Sequence, residues 1–377
     1  MNKKIKEIET IASDDSIVEY GGAHNQKGIE FQRNWALVRI FQLTQDKVSD
    51  FLLLFETFQD IAEFDSSSNP DSVIIYQIKK NDRTEWSWGK LTALKNPQKK
   101  GPKADDYLNF AKSPIGKLFH TVNKFQTLRS QGKFISNHGC DLMLESGGNA
   151  ATASCVSLAD LEKNHVELIS KAIKSIHGIS KPSEKLSVIY LEKSSISIDD
   201  PRTYVIGIAH SLLNKILPRH VGQTSTLVDT LLVTIGSLSS KTDKCKSFRE
   251  LVAMKGFSKK NLDDAIQSLN QIPDILSYLD IILTDLSQKG FTWIEIIKIK
   301  ASVSRIYSNL ISAGYSEDEK RLIGECDSII ATKSIDKMDE IIISLYDQLK
   351  DDFKNISKYD IIAHLLIRVI QKCEDQI

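Results

Sequence analysis

The chain has 377 residues, of which 41% are hydrophobic and 26% charged, and its 49 basic residues balance its 49 acidic ones. This composition is ordinary for a globular protein and excludes a disordered, collagen-like or disulfide-rich chain. At about 100–200 residues per domain, the length predicts two domains, or three small ones. The five cysteines are widely spaced and no apolar run is long enough for a membrane helix, so we expect no membrane association and a cytoplasmic protein.

The balanced total conceals an uneven distribution of charge. Between Lys79 and Lys133 there are 13 basic and 4 acidic residues, which gives this stretch a net charge of +9 and leaves −9 for the remainder. A local basic excess is typical of a surface that binds nucleic acid, although such runs are as often ordinary solvated faces. The neutral total therefore does not exclude a nucleic-acid-binding protein.

The first elements change from helical to strand periodicity. After a polar arm over residues 1–19, the predicted elements are a helix at 28–43 and strands at 51–55, 58–64 and 73–79. The last two strands are predicted to form a hairpin around the turn-rich stretch between them. Because the 73–79 segment begins apolar on both faces, it is typical of a central strand with both sides covered.

Farther along the chain, the predicted elements are strands at 133–136 and 186–191 and helices at 158–176 and 201–216. Together with the first elements they predict a mixed α/β domain over residues 20–240. Residues 241–377 show helical spacing, which predicts an all-helical region whose apolar faces need partners. The helices predicted there span 247–254, 258–269, 293–311, 316–330, 335–353 and 356–373, the first two joined at Lys255-Gly256-Phe257.

Polar side chains mark the ends of three neighbouring predicted strands. Glu56 ends the first apolar run, Asp60 lies on the hairpin partner of the third strand, and Gln77 and Lys79 share one face of that strand. Charged groups at the edge of a buried sheet are costly to desolvate unless they are paired or bind a metal. Carboxylate and amide oxygens suit Mg²⁺, and a lysine can offset negative charge that develops on a phosphodiester.

This arrangement resembles the restriction-endonuclease-like (PD-(D/E)xK) nuclease core in its QxK variant. The resemblance implies Mg²⁺ or Mn²⁺ as cofactor, with Asp60, Gln77 and Glu56 as metal ligands and all three acting with Lys79 in catalysis. Such nucleases sometimes take a further ligand from the first helix, where Glu30 and Gln32 are candidates. The alternative for these two is a solvated helix face, and the alternative for the whole set is a surface hairpin in an unrelated mixed sheet.

Further motifs are similar to one family in particular, the CD-NTase-associated double-stranded DNA endonucleases. In addition to the 56–79 segment, they are Gly21-Gly22, Gly28-Ile29-Glu30-Phe31-Gln32, Trp86 with Trp88, Phe134-Ile135-Ser136-Asn137 and Lys255-Gly256-Phe257-Ser258. The resemblance covers about residues 20–270. It implies an endonuclease effector of bacterial antiphage or anti-plasmid defence that cleaves double-stranded DNA with little sequence specificity.

The helical region is too short for the large nucleotide-sensing domain to which this nuclease is fused in CBASS systems. A nuclease with a short helical extension looks more like the effector subunit of Lamassu-type antiphage systems. That resemblance implies an SMC-like ATPase and a small accessory subunit as partners, and activation by homo-oligomerisation. The rival hypothesis is a non-catalytic DNA-binding or scaffold subunit whose helical tail docks an ATPase.

The basic stretch after Lys79 supplies the predicted DNA contacts. Lysine and arginine contacts to phosphate give an affinity that is independent of sequence and sensitive to salt. The candidates are Lys80, Arg83, Lys95, Lys99, Lys100 and Lys103. Trp86 and Trp88 could stack on bases, but packing between sheet and helix is the preferred interpretation.

Overall fold

The structure is a computed structural model that describes residues 3–14, 16, 26–81, 84–95, 104–241, 243, 245–270, 275–312, 315–331 and 338–374. It divides into two compact units. The α/β unit consists of Met1–Ala209 and Leu231–Leu262, and the helical unit consists of His210–Thr230 and Asp263–Ile377. The sequence places a domain boundary at about residue 240, whereas the α/β unit also takes in the chain to Leu262.

The strands are β1 (Leu52–Phe55), β2 (Ile61–Phe64), β3 (Ser72–Ile78), β4 (Trp86–Ser87), β5 (Arg129–Ser136), β6 (Cys140–Asp141), β7 (Cys155–Ser157), β8 (Ile189–Lys193) and β9 (Gly256–Ser258). Seven strands of the described residues form the main sheet, in the order β7-β8-β5-β3-β2-β1-β9, while β4 pairs with β6. The sheet is mixed, because β1, β2 and β3 are antiparallel neighbours and β3, β5 and β8 are parallel.

The helices up to residue 270 are α1 (Lys3–Ala12), α2 (Gln26–Gln45), α3 (Trp88–Thr92), α4 (Ala104–Lys112), α5 (Pro114–Lys124), α6 (Lys163–His177), α7 (Pro182–Leu186), α8 (Pro201–Ile216), α9 (Thr224–Ser239), α10 (Phe248–Lys255) and α11 (Lys259–Asn270). Short 3₁₀ turns occur at Leu158–Asp160 and Pro218–Gln223. The predicted mixed sheet flanked by helices is therefore confirmed.

The predicted hairpin is also confirmed, and its register is defined. Phe64 lies opposite Val73 and Ile61 opposite Tyr76. Val73 and Ile75 are fully buried in the core of the α/β unit, as expected for a central strand. Because side chains alternate along a strand, Gln77 lies on the same face of the sheet as these two residues.

Different helices cover the two faces of β3. On the face of Val73 and Ile75, α5 packs against β3 and β5. Gly132 in β5 permits this approach, because a Cβ there would lie 2.9 Å from a methyl group of Val122 in α5. On the opposite face, the ring of Tyr76 lies 4.6 Å from that of Trp35 in α2. The central strand is thus covered by helices on both faces, and the candidate site residues Gln77 and Lys79 lie at its polar end.

Several predicted elements have different bounds or a different type. The strand predicted at 186–191 begins only at Ile189, because Leu186 is the last residue of a short helix whose apolar side joins the core. The helix predicted at 158–176 begins at Lys163 after a 3₁₀ turn. The helices α3, α4 and α5 were not predicted within the basic stretch.

The prediction is wrong at the junction Lys255-Gly256-Phe257. This junction was predicted as a link between two helices of an all-helical region, but Gly256–Ser258 is the edge strand β9, and Phe257 lies opposite Leu53 of β1. Three residues are too few to display the alternation that identifies a strand. The pairing with β1 depends on residues about 200 positions earlier, which the local pattern does not contain.

The helical unit contains α12 (Ile275–Gln288), α13 (Trp293–Ser312), α14 (Glu317–Ala331), α15 (Met338–Leu349) and α16 (Lys358–Glu374). The last four helices agree with the prediction, and α12 adds one that the sequence analysis did not include. The middle of α16, from Ile361 to Ile370, is buried nearly all round, so α16 contributes to two apolar clusters. A helix that is apolar on all sides is typical of a central position in a bundle. No helix of the described residues has both the length and the apolarity needed to cross a membrane.

Candidate active site

Three predicted site residues meet at one end of the sheet because of the strand order. Glu56 follows β1, Asp60 precedes β2, and Gln77 lies near the end of β3. Phe55 pairs with Ile61, and the peptide N–H of Glu56 donates a hydrogen bond to the Asp60 carbonyl oxygen at 3.0 Å. The polar residues therefore occupy adjacent strand ends, as the sequence predicts.

Asp60 is held by the backbone of the neighbouring strand. Its side chain is buried, and its Oδ2 accepts a hydrogen bond of 2.6 Å from the N–H of Ile78. Its Oδ1 lies 3.6 Å from Nζ of Lys79, whose side chain remains 31% exposed. This separation exceeds the roughly 2.7–2.9 Å of a charge-assisted hydrogen bond. The carboxylate is therefore fixed in place, with the lysine beside it but not in direct hydrogen-bond contact.

Gln77 places a carboxamide next to Asp60 in the sheet. Its side chain is only 1% exposed, and its Nε2 donates to Oε1 of Gln59 at 3.3 Å. Its Oε1 is buried and accepts no hydrogen bond within the described part of the chain. Leaving a buried acceptor unsatisfied costs about 1–3 kcal/mol. An acceptor oxygen held at that cost, one residue before the N–H that binds the Asp60 carboxylate, is suited to binding a cation.

The donor set fits magnesium. Among the described residues, no three His, Cys, Asp or Glu side chains are grouped to hold a metal ion. The site instead combines the carboxylate of Asp60 with the unsatisfied amide oxygen of Gln77. Mg²⁺ commonly takes only one or two carboxylates from a protein and completes its shell with water and substrate phosphates. The site therefore offers the types of oxygen ligand that Mg²⁺ takes from a protein, on Asp60 and Gln77, with Glu56 nearby in the chain.

Glu56 lies in a strained turn that a buried lysine supports. Its φ is +45°, a left-handed conformation that is unfavourable for a residue with a Cβ. Nζ of Lys255, at the end of α10, donates to the Glu56 carbonyl oxygen at 2.9 Å. Burial lowers the pKa of Lys255, against the attraction of nearby acidic groups that include Glu56. Lys255 thus fixes the backbone from which the Glu56 carboxylate extends.

The chain after Lys79 is attached to the end of β5. The N–H of Asn81 donates to Oδ1 of Asn137 at 2.8 Å, and Nδ2 of Asn137 donates to the Asn81 carbonyl oxygen, also at 2.8 Å. The N–H of Lys79 itself donates to the Ile135 carbonyl oxygen at 2.9 Å. These bonds fix the backbone on both sides of Lys80 and so define where the Lys79 side chain begins.

The two candidates on the first helix have different environments. Nε2 of Gln32 donates to the Ile78 carbonyl oxygen at 3.1 Å, so this side chain supports the end of β3 through its nitrogen. Glu30 is exposed, and its backbone carbonyl oxygen accepts a hydrogen bond from Asn34. Their contribution to a metal site stays a prediction, for which Gln32 is the better placed of the two.

The predicted DNA contacts lie only partly within the described residues. Lys80 is half-buried beside the site, and Lys95 is exposed. The candidates outside the described residues are Arg83, Lys99, Lys100 and Lys103. The packing interpretation of the two tryptophans is confirmed. Trp86 donates to the Ser136 hydroxyl at 2.7 Å, and the buried Trp88 donates to the Lys95 carbonyl oxygen at 3.1 Å.

The structure adds residues to which the sequence analysis assigned no role. Gln59 contacts Gln77, and Thr121 contacts Gln59. Lys255 holds the Glu56 turn, and Asn137 holds the segment after Lys79. Lys255 and Asn137 belong to motifs that the sequence analysis noted, so a signal for them existed. Thr121 lies in a helix that was not predicted, and its contact with Gln59 joins residues 62 positions apart.

A comparison with protein-family models decides the assignment. The model for the Cap4 double-stranded DNA endonuclease domain matches residues 20–239, which is more than half of the chain. The chain belongs to the Cap4 nuclease family. No curated protein and no solved structure shows significant similarity to it. The Cap4 match ends at the last residue of α9, and β9, with Lys255 just before it, lies beyond the matched residues although both belong to the α/β unit.

Proposed function

We propose that this Cap4-family DNA endonuclease hydrolyses phosphodiester bonds at a Mg²⁺-dependent site formed by Asp60, Gln77, Lys79 and Glu56, on a restriction-endonuclease-like domain. The observation that carries the proposal is the buried Oε1 of Gln77, which has no donor among the described residues; the next residue along the strand, Ile78, donates its N–H to the Asp60 carboxylate. Lys79, whose Nζ lies 3.6 Å from Asp60, supplies a positive charge that can offset negative charge on the phosphodiester.

Each residue has a role that follows from its position. Asp60 and Gln77 hold Mg²⁺ or Mn²⁺, and Glu56 adds a second negative charge from the adjacent strand end. A metal ion held there would supply Lewis-acid chemistry: it would lower the pKa of a water molecule and offset charge on the scissile phosphate. Lys79 is ion-paired with Asp60 at 3.6 Å, and it orients the attacking water and stabilises the negative charge that develops on phosphate oxygens.

DNA is held by the basic stretch that follows Lys79. Its net charge of +9 is compensated elsewhere in the chain, so the attraction to phosphate is local. Such contacts provide affinity without reading the base sequence, which agrees with cleavage of little sequence specificity. The residues proposed for these contacts are Lys80, Arg83, Lys95, Lys99, Lys100 and Lys103.

The Cap4 family assignment supports a DNA endonuclease in antiphage defence. Our proposal goes further, to a cytoplasmic effector of a Lamassu-type complex that includes an SMC-like ATPase and a small accessory subunit, and that is activated by homo-oligomerisation. In this proposal the α/β unit, which includes Lys255, forms the nuclease domain, and the helical unit forms the assembly region.

The helical unit supplies a surface suited to such assembly. On α12 and α13 five large apolar side chains are exposed, of which Trp293 is the most accessible at 77%. The others are Tyr278, Ile281, Ile294 and Ile297. Large apolar side chains exposed in number on two neighbouring helices are typical of surfaces that bind another protein. This surface supports the proposed partner-binding role of the assembly region.

Plasmid cleavage by the full chain tests the site. Asp60→Asn removes one negative charge and retains the side-chain shape, so it should reduce cleavage by about 100-fold or more at saturating Mg²⁺. Asp71→Asn is the matched control, because Asp71 lies at the turn end of the same hairpin and should leave the rate unchanged. The assay is run at several protein concentrations to reveal activation by oligomerisation.

Two outcomes would contradict the proposal. A folded Asp60→Asn variant that cuts at the wild-type rate would show that the site is elsewhere. A wild-type protein that binds DNA but never cuts it, with Mg²⁺ or Mn²⁺ and in the assembled state, would favour a non-catalytic scaffold subunit.

A further inference from the structure

Three buried polar side chains form a continuous chain of hydrogen bonds that ends at the proposed metal site. Nε2 of Gln59 donates to Oγ1 of Thr121 at 3.1 Å, and Nε2 of Gln77 donates to Oε1 of Gln59 at 3.3 Å. All three are buried within the α/β unit, and Thr121 is contributed by α5. We refer to Thr121, Gln59 and Gln77 as the amide relay.

The direction of the relay is set at the Thr121 hydroxyl. A carboxamide presents its oxygen and its nitrogen in nearly the same shape, so hydrogen bonding determines which one faces a given neighbour. The Thr121 oxygen lies 3.1 Å from the Lys117 carbonyl oxygen and 3.4 Å from the Phe58 carbonyl oxygen. Carbonyl oxygens only accept, so the single hydroxyl proton is donated to one of them.

This donation determines the orientation of both glutamines. With its proton directed at a carbonyl, the Thr121 oxygen accepts, and Gln59 must turn its NH₂ group towards it. Oε1 of Gln59 then faces Gln77, which in turn donates from its own NH₂ group. The remaining atom of Gln77 is Oε1, which is buried and has no donor among the described residues.

The opposite orientation would remove the ligand. If the relay were reversed, Gln77 would present an NH₂ group, which has two protons and no lone pair available for a cation. Gln77 differs in this respect from an acidic residue, whose two oxygens are equivalent after deprotonation. A nuclease that uses glutamine here therefore needs a device that selects the oxygen.

We propose that Thr121 and Gln59 are positioning residues that fix the orientation of the Gln77 carboxamide so that its oxygen is available to the metal ion. This inference rests on the proposed function, because it assumes that Asp60 and Gln77 hold the metal. In this inference Thr121 and Gln59 act only through Gln77, without contacting the metal or the DNA.

The test is a double-variant cycle read out by Mn²⁺ binding to the full chain, measured by calorimetry with and without a non-cleavable phosphorothioate duplex. Thr121→Val keeps the side-chain shape but removes the hydroxyl, and it should weaken Mn²⁺ binding by about tenfold, as loss of an outer-shell partner commonly does. Thr121→Ser retains the hydroxyl and should remain within about twofold of wild type. Gln77→Glu has two equivalent oxygens, so adding Thr121→Val to it should change the affinity by less than about twofold.

The cycle distinguishes positioning from a general structural role. If Thr121→Val leaves Mn²⁺ binding unchanged in the wild-type background, or weakens it equally in the Gln77→Glu background, the inference is wrong. Asp60→Asn tests the underlying proposal separately. If that variant binds Mn²⁺ as tightly as wild type, or if wild type binds none with or without DNA, the proposed site itself is wrong. Thermal unfolding of each variant verifies that its α/β unit is folded.

Discussion

A buried ion pair on the face of the sheet opposite the site provides a stringent test of the packing. The Arg39 guanidinium donates to both oxygens of Glu63 at 2.7 and 2.8 Å, and the Tyr76 hydroxyl donates to the same carboxylate at 2.9 Å. Burial opposes the charge on Arg39, but the hydrogen bonds and attraction from Glu63 raise its pKa overall. Burial, followed by the charge of Glu63, also raises the pKa of Tyr76.

Removing one partner should therefore be much more harmful than removing both. Arg39→Met leaves the Glu63 carboxylate buried with Tyr76 as its only donor in the described part of the chain. Breaking a buried pair in this way costs about 3–5 kcal/mol. Because the Arg39 side chain is 23% exposed, we expect the lower end of this range, about 3 kcal/mol. Combining Arg39→Met with Glu63→Gln removes both charges, and it should recover the stability to within about 1.5 kcal/mol of wild type.

The assay follows urea unfolding of the α/β unit by tryptophan fluorescence. A Trp293→Phe background removes the tryptophan of the helical unit, so the signal comes from Trp35, Trp86 and Trp88. As a control, Lys163→Met disrupts the exposed pair of Lys163 with Glu145 and should leave the midpoint unchanged. A loss below about 1 kcal/mol for Arg39→Met, or a double variant no more stable than the single one, would refute this reasoning.

Three other predictions concern separate parts of the chain. Gly116→Ala should destabilise the α/β unit by about 3 kcal/mol or more in urea unfolding, because the new Cβ would lie 1.8 Å from a carbonyl oxygen of α4. The control Gly89→Ala places its Cβ in open space and should be nearly neutral. Burial lowers the pKa of His364 to about 4, so the folded state resists protonation. The free energy of unfolding of the helical unit should therefore fall by about 3 kcal/mol as the pH falls from about 6.5 to 4. His364→Asn should flatten this dependence in thermal melts, and an unchanged slope would contradict it. Lys255→Met should slow DNA cleavage and leave DNA affinity unchanged in a binding assay, because it removes the hydrogen bond that supports the turn after β1. A loss of DNA affinity in proportion to the loss of rate would argue against a role for Lys255 in supporting this turn.

The hairpin that carries the candidate site was predictable because its signals are local. The apolar run before Glu56, the turn-rich segment after Phe64 and the apolar run from Val73 each lie within a few residues of the group that they position. The convergence of Glu56, Asp60 and Gln77 then follows from antiparallel pairing alone. The structure confirms the hairpin, although its first strand begins at Ile61 and not at Phe58, and adds the register.

The supporting residues were not predictable in the same way. The contact of Lys255 with Glu56 spans 199 positions, and that of Thr121 with Gln59 spans 62, so no local periodicity reports either of them. Strand β9 is too short to show alternation. Helix α5 lies within the basic stretch, whose charge by itself does not predict a helix. In the sequence Gln59 has the pattern of an ordinary turn residue, and only the folded sheet shows that it is buried.

The central claim is that the charges at this strand end perform metal-dependent DNA cleavage, and Lys79 tests it most directly. Cleavage by Lys79→Met is measured at saturating DNA and Mg²⁺, next to Lys90→Met, which removes an exposed lysine of α3 from the same basic stretch. Lys79→Met should lower the maximal rate by about 100-fold or more with unchanged DNA affinity, while Lys90→Met should stay close to wild type. A folded Lys79→Met protein that cleaves at the wild-type rate would contradict the account.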